Sequence, residues 1–89
     1  MCRNIKTLYN FEPSATNDEV RAAAAQYVRK ISGFNQPSQV NAAAFEQAID
    51  QITQVSEHLL TALVTHAPAK NRAEEAAKAL AKSKLRFSQ

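Results

Sequence analysis

The only cysteine of the sequence, Cys2, lies beside two basic residues, and this arrangement suits a reactive thiol. Arg3 and Lys6 would stabilise the thiolate, which is the nucleophilic form of the side chain. No histidine lies near in sequence to act as the base that activates a catalytic thiol. Two roles for Cys2 therefore stay open: catalysis in a thiol-dependent enzyme, and the favoured role of packing the N-terminal segment against the rest of the protein.

The other titratable residues do not follow a pattern typical of a metal or acid–base site. His58 and His66 are eight residues apart, and neither has a second ligand four residues away on the same helical face. Asp50 and Glu57 lie on a polar face rich in glutamine, where nothing would desolvate a carboxylate for acid–base catalysis. A single glycine cannot build a phosphate-binding loop. The sequence therefore predicts no metal and no cofactor.

Basic residues cluster toward the two ends of the chain, whose formal net charge is +3. Lys78, Lys82 and Arg86 recur every four residues and would form one stripe on a helix. A second basic set belongs to the first predicted helix: Arg21, Arg29 and Lys30. Such stripes can neutralise phosphates, so a nucleic-acid-associated protein is the alternative function. The charges of residues 34–67 are all acidic, which argues against a DNA-recognition helix there.

A further candidate surface combines the start of the chain with the glycine turn that ends the first predicted helix. It comprises a thiol, four cations, a hydroxyl and an aromatic ring: Cys2, Arg3, Lys6, Arg29, Lys30, Ser32 and Phe34. An aromatic ring beside cations in a loop suits an acidic protein partner or another anionic ligand. The competing interpretation is that Arg29 and Lys30 only offset the helix dipole while Phe34 fills the core.

The helix that carries this turn has clear signals at both ends. Thr16 and Glu19 form a capping box, and Gly33, the only glycine, is placed to end the helix in a left-handed conformation. These signals predict a helix over residues 17–32 after an N-terminal arm over residues 1–15. Its apolar residues recur at helical spacing and predict one buried stripe: Val20, Ala24, Tyr27, Val28 and Ile31.

Two further helices are predicted from apolar periodicity and from Pro68, which should stop the second of them. The second helix should span residues 39–66 and the third residues 72–84, after an N-cap at Asn71. On the second helix we expect four residues to form the centre of the core: Phe45, Ile49, Leu59 and Leu63. The apolar stripe of this helix is wide enough for two neighbours.

Together these elements predict an all-α fold, a three-helix bundle with a long central helix and a docked N-terminal arm, in a single domain over residues 1–89. The arm should dock because its apolar residues are costly to leave in water: Ile5, Leu8, Tyr9 and Phe11. No apolar run is long enough for a membrane span, and the start lacks the apolar region of a signal peptide. With one cysteine and no internal disulfide, a cytoplasmic protein is expected.

Short motifs along nearly the whole chain resemble a family of small bacterial proteins of unknown function. They include Met-Cys-Arg-Asn-Ile at residues 1–5, Asn-Phe-Glu-Pro at 10–13, Val-Arg-Lys-Ile-Ser-Gly at 28–33 and Ala-Pro at 67–68. Pro13 and Ser14 stand where relatives often have two prolines. The resemblance implies a cytoplasmic bacterial domain, and it implies no activity, cofactor or functional residue.

We therefore expect a small non-catalytic interaction or binding domain. A nucleic-acid-associated basic protein and a thiol-dependent enzyme using Cys2 are the alternatives. The expected partner is a protein or an anionic ligand rather than a membrane, and self-association into a homo-oligomer is left open.

Overall fold

The structure of the chain is a computed structural model that describes the backbone of residues 4–87 and the side chains of residues 4–82. It confirms the all-α fold class, because three helices account for most of these residues. The β structure within residues 4–87 is one pair of two-residue strands. In chain order the elements are β1 (Phe11–Glu12), α1 (Asn17–Ser32), α2 (Ala42–Ala62), β2 (Lys70–Asn71) and α3 (Arg72–Phe87).

The first helix, α1, begins and ends where the sequence predicts. The Glu19 amide donates to Thr16 Oγ1 at 3.2 Å, and the Thr16 amide donates to Glu19 Oε1 at 3.0 Å, so the capping box is complete. Gly33 ends the helix at φ 80°, and its amide donates to the Arg29 carbonyl at 2.9 Å. A Cβ at position 33 would meet no atom within 4 Å, so this turn requires the conformational freedom of glycine rather than its small size.

The second helix, α2, spans Ala42–Ala62 and is therefore shorter than the predicted 39–66. At its start, Ser38 and Asn41 form a turn: the Asn41 amide donates to the Ser38 carbonyl and Asn41 Nδ2 to Ser38 Oγ. At its end, Leu63 is extended, with φ −67° and ψ 142°. The β-branched Val64 and Thr65 follow, and because both are exposed, no packing compensates for their weak helix propensity.

The third helix, α3, begins where the sequence predicts but ends later. The Glu74 amide donates to Asn71 Oδ1 at 3.0 Å, which confirms Asn71 as its cap. The helix continues to Phe87 instead of ending at residue 84. No glycine or proline follows residue 84 to stop it.

The two helices α1 and α2 pack against each other around a small core. Side chains near the start of α1 contact residues in the second half of α2, since Asn17 donates to Glu57, and the pair is therefore antiparallel. Four apolar residues are buried: Val20, Ala24, Val28 and Ile49. Thr53 is buried beside them, and its hydroxyl is satisfied because it donates to the Ile49 carbonyl at 2.6 Å. Phe45, Ala48 and Ile52 pack partly against this core.

Four residues predicted for the core are exposed, and the prediction was wrong for them. Leu59 and Leu63 on α2 are 53% and 44% exposed, and Tyr27 and Ile31 on α1 are 48% and 67% exposed. The reason is that α1 covers only the part of the wide apolar stripe of α2 that contains Ile49. Leu59 lies to one side of that part, and the last turn of α1 extends beyond the buried contact.

The N-terminal arm is docked, as predicted, by a clasp between its end and the segment before α3. Strands β1 and β2 pair in parallel, with Phe11 opposite Lys70 and Glu12 opposite Asn71. The Lys70 amide donates to the Asn10 carbonyl at 2.8 Å, and Asn10 Nδ2 donates to the Pro68 carbonyl at 3.2 Å. Asn10 has φ 64°, in the left-handed region that asparagine tolerates better than most residues. The clasp attaches α3 to the arm.

The resulting molecule is open. Its radius of gyration is 16.1 Å, whereas a compact domain of this length has about 12 Å. It exposes 7202 Å² of surface to solvent, against about 5,200 Å² for a compact monomer of this mass. The thinnest dimension of the Cα trace is 16 Å, so the helices form little more than one layer. Within residues 4–87, none of the helices combines the length and the apolar character that crossing a membrane requires.

Candidate functional site

One side chain of α1 holds the beginning of the arm. Gln26 Oε1 accepts hydrogen bonds from the amides of Asn4, at 2.8 Å, and Ile5, at 3.1 Å. Residues three and four apart on a helix are surface neighbours, so Arg29 and Lys30 follow directly on the face that receives the arm. The structure therefore brings the arm to the turn before these two cations, as the predicted surface requires.

The remaining arm residues of that surface are placed less completely. Lys6 follows the segment held by Gln26, and its side chain is exposed. Cys2 and Arg3 lie outside the described residues, so their part in the surface stays a prediction.

The turn at Gly33 forms the other half of the surface. The Ser32 hydroxyl donates to the Arg29 carbonyl at 3.4 Å and accepts a hydrogen bond from the Phe34 amide at 3.3 Å. Ser32, predicted as a binding residue, therefore bonds to the backbone on both sides of Gly33. Through these bonds it fixes the course of the chain into Phe34.

The end of α1 is apolar and basic at once. Phe34 is 51% exposed and does not fill the core, contrary to the competing interpretation of this residue. Arg29 and Lys30 are exposed too, and no ion pair within residues 4–82 involves either of them. We call this region the α1-end surface, defined by Tyr27, Arg29, Lys30, Ile31 and Phe34.

Arg21 does not belong to any free basic stripe on α1. Its guanidinium forms ion pairs with Glu46 and Asp50 of α2, and the hydrogen bond with Asp50 raises its pKa. The prediction that Arg21 contacts phosphates together with Arg29 and Lys30 was therefore wrong. The acidic residues of α2 lie on the flank that faces Arg21, where they neutralise it.

A second cluster, which the sequence did not predict, joins the arm, α1 and α3 at Arg72. The Arg72 guanidinium donates to Glu19 through Nη1 at 2.9 Å and Nη2 at 2.8 Å, and its Nε donates to the Pro13 carbonyl at 2.6 Å. The Phe11 ring lies beneath two cations, with Lys70 Nζ 5.7 Å and the Arg72 guanidinium carbon 5.8 Å from its centre. The capping box gave Glu19 a local role, and nothing in the sequence signals its second partner 53 residues away.

This cluster shifts the pKa of both members of its ion pair. The hydrogen bonds from Arg72, followed by the one from the Thr16 amide, lower the pKa of Glu19 from 4.5 to about 2. The hydrogen bond with Glu19 raises the pKa of Arg72 in turn. Each charge favours the other, so the pair is an electrostatic anchor for α3.

Two clefts flank the arm. One, of about 670 Å³, lies between the arm and the end of α2 and is lined by Tyr9, Asn10, Glu57 and Thr61 among others. The other, of about 450 Å³, lies between the arm and α3, where Glu19 and Arg72 bind each other. Among the described residues, no cysteine or histidine lines either cleft, so neither offers the usual nucleophile or general base.

We expect α3 to be the first helix to open, and acid to open it further. Glu19 has a lowered pKa in the folded state, so its contribution to stability is present above pH 4.5 and is lost as the pH falls toward about 2. Over this range, hydrogen exchange followed by mass spectrometry should show α3 losing protection while α1 and α2 keep theirs. At neutral pH α3 should already exchange fastest, because its described inward residues are mostly exposed alanines.

Glu19→Gln is the matched variant for this test. Glutamine preserves the capping box but removes the charge that Arg72 binds. The variant should show fast exchange in α3 at neutral pH and little further change on acidification. Equal protection of the three helices in the wild-type chain, or the same acid response in the variant, would contradict the anchor.

Comparison with known proteins places the whole arm, α1, α2 and the first half of α3 within one family. The model of the family described as uncharacterized conserved protein (DUF2277) matches residues 1–78. The chain belongs to the DUF2277 family. No curated protein and no solved structure is significantly similar to it. The DUF2277 description assigns no activity, so any function must be argued from the surfaces of the molecule.

The cations of α3, predicted for the nucleic-acid alternative, lie at the margin of the DUF2277 match. Lys78 forms an ion pair with Glu75 at 3.6 Å, and Lys82 is exposed beyond the matched residues. The Arg86 side chain lies outside the described residues. Within residues 4–82 of this DUF2277 chain, no group of three or more His, Cys, Asp or Glu side chains is arranged to hold a metal ion. The α1-end surface lies wholly inside the match and is the stronger candidate.

Proposed function

We propose that this DUF2277 chain is a small non-catalytic interaction domain whose α1-end surface binds an acidic protein partner. One observation supports this most directly: exposed apolar side chains surround Arg29 and Lys30, and no acidic residue in the described part of the chain forms an ion pair with either cation. The apolar members are Tyr27, Ile31 and Phe34. An isolated domain gains nothing from exposing them.

The chemistry of the surface indicates the kind of partner. Tyrosine and arginine are enriched in protein interfaces, where rings bury apolar area and cations select the sign of the partner's charge. Cations at the edge of an interface mainly steer association and specificity. Lys6 in the docked arm adds to the positive charge, and Arg3 and Cys2 precede it in sequence. An amphipathic segment with carboxylates beside apolar residues would complement this surface.

The composition of the chain supports a bacterial cytoplasmic location for this interaction. A single cysteine has no partner for an internal disulfide, and a reducing compartment keeps such a thiol free. The motif resemblance described above supports the bacterial source.

The proposal can be tested with two fluorescein-labelled probe peptides, one of alternating glutamate and leucine and one of alternating lysine and leucine. The chain should bind the acidic probe more tightly, as measured by fluorescence anisotropy, and salt should weaken that binding. In the double variant R29E/K30E the affinity should fall about tenfold or more, because two attractions become repulsions. No loss of affinity would contradict the proposal.

The matched control is K78E/K82E, which makes the same change of charge on α3. It should keep the affinity of the wild-type chain for the acidic probe. An equal loss in both variants would mean that net charge, rather than the α1-end surface, governs binding. Duplex DNA serves as a third probe: salt-sensitive DNA binding that is lost only in K78E/K82E would favour the nucleic-acid alternative instead.

A further inference from the structure

One face of α2 is apolar, regularly spaced and not covered by α1. Its residues alternate at intervals of three and four, the spacing of the contact positions of a coiled coil: Phe45, Ala48, Ile52, Val55, Leu59 and Ala62. We call this set the outer seam. Its centre lies roughly 90° around the helix from Ile49, the residue buried against α1. Val55 is 70% and Leu59 53% exposed, so the middle of the seam faces solvent.

The order of residue sizes along the outer seam makes it complementary to itself. If two copies of α2 run antiparallel, the first seam residue faces the last, and so on toward the centre. The layers are then Phe45 with Ala62, Ala48 with Leu59, and Ile52 with Val55. Large residues thus face small ones in the outer layers, and two medium residues meet in the middle, which fills space evenly. A parallel pair would set Phe45 against Phe45 and leave Ala48 against Ala48.

The charges of α2 also permit self-pairing. All three acidic residues of the helix lie on the opposite flank: Glu46 and Asp50 bind Arg21, and Glu57 binds Asn17. The solvent-side border of the seam carries Gln51 and His58, which are uncharged in the formal count at pH 7. Two copies can therefore approach through this face without like-charge repulsion, whereas a strongly charged partner would find no counter-charge there.

The exposed area is large enough for such a pairing. The 7202 Å² of the chain exceeds the value for a compact monomer by roughly 2,000 Å². A stable interface of standard size needs only about 800 Å² from each partner. The seam also spans most of α2, so the contact would run along five helical turns.

We propose that two copies of this chain associate through the outer seams of α2, which pack antiparallel about a twofold axis. Each α2 then has neighbours on two sides, its own α1 and the α2 of the second copy, as in a four-helix arrangement. This accounts for the width of its apolar stripe. The inference does not depend on the proposed function, because the α1-end surface lies on α1 and stays outside the seam.

The mass of the full chain in solution tests the dimer. Sedimentation equilibrium from micromolar to several hundred micromolar chain should show twice the 9.8 kDa of one chain. V55E/L59E should be monomeric, because it places four carboxylates in the centre of the contact. Both residues are exposed in the single chain, so circular dichroism should show unchanged helix content. A wild-type chain that is monomeric throughout, or a variant that still dimerises, overturns the proposal.

The matched control is V40E/V64E, which changes two equally apolar residues outside the seam. Val40 and Val64 are 89% and 85% exposed, and their replacement should leave the dimer intact. Loss of the dimer in this control as well as in V55E/L59E overturns the assignment to the seam. R29E/K30E should also remain dimeric, so a failed dimer test and a failed test of the proposed function are distinguishable.

Cysteine cross-linking tests the antiparallel register. In a Cys2→Ser background, a mixture of A48C and L59C chains should form the mixed disulfide in excess over both symmetric ones, because position 48 faces position 59 of the second copy. Dominant symmetric disulfides, which a parallel pair would give, overturn the register. A disulfide within one chain between cysteines at positions 59 and 80 would show that α3 covers the seam, and this too overturns the proposal.

Discussion

Replacing Ile49 by alanine is expected to cost about 2–5 kcal/mol of folding free energy, the range for a large residue truncated in a core. Ile49 is 6% exposed and is the only fully buried large residue that α2 contributes to the described core. The core is small, so neighbouring side chains have few alternative contacts with which to fill the cavity. A domain of this length has a total stability on the order of 5–10 kcal/mol, and the loss would be a large part of it.

Chemical denaturation followed by circular dichroism would measure this effect, with Leu59→Ala as the control on the same helix. Leu59 is 53% exposed, so its truncation should cost less than about 1 kcal/mol in the monomeric chain. The comparison is made at low concentration, where a dimer would not contribute. If Leu59→Ala proved as costly as Ile49→Ala, the core would lie on the other part of the stripe.

Replacing Ala24 by leucine is the second substitution with a large expected effect, a loss of about 1–3 kcal/mol. Ala24 is 3% exposed and contacts Val28 and Ile49 where α1 meets α2. Small residues at such a position let two helices approach closely, and extra methylene groups would push them apart. The ion pairs from Arg21 to Glu46 and Asp50 would be strained by the same separation.

Ala22→Leu is the control for this overpacking. Ala22 lies two residues earlier and therefore on the other side of α1, outside the buried cluster. Because alanine and leucine both favour helices, the control introduces the same side chain with a similar effect on helix propensity. Thermal unfolding should show a clearly lower melting temperature for Ala24→Leu than for Ala22→Leu. Indistinguishable curves would mean that the α1–α2 contact is loosely packed.

The parts of the fold that could be predicted from sequence are those specified locally. Thr16, Glu19 and Gly33 determine both ends of α1, and each acts on backbone groups within four residues of itself. The stripe of α2 was recognised too, but its pattern alone cannot tell which half α1 covers. The acidic flank formed by Glu46 and Asp50 was the available signal, because it had to face Arg21.

The candidate site divides in the same way. The residues around Gly33 are neighbours in sequence, so the association of Arg29, Lys30 and Phe34 could be predicted. Whether Phe34 turns inward depends on how far α2 reaches, and that follows from the turn at Ser38 and Asn41. The Glu19–Arg72 pair joins residues 53 positions apart. It depends on the path of the arm, which no periodicity encodes.

The parallel pairing of β1 with β2 determines the order in which the chain assembles. The arm is among the first segments to leave the ribosome, yet its partner strand follows both α1 and α2. At 5–20 residues per second the arm waits roughly 3–12 s for that strand. Joining segments roughly 60 residues apart also costs about 4 kcal/mol in loop closure, unless the intervening chain is already folded. The helical pair is therefore the template on which the clasp closes, and the clasp is the last contact to form during synthesis.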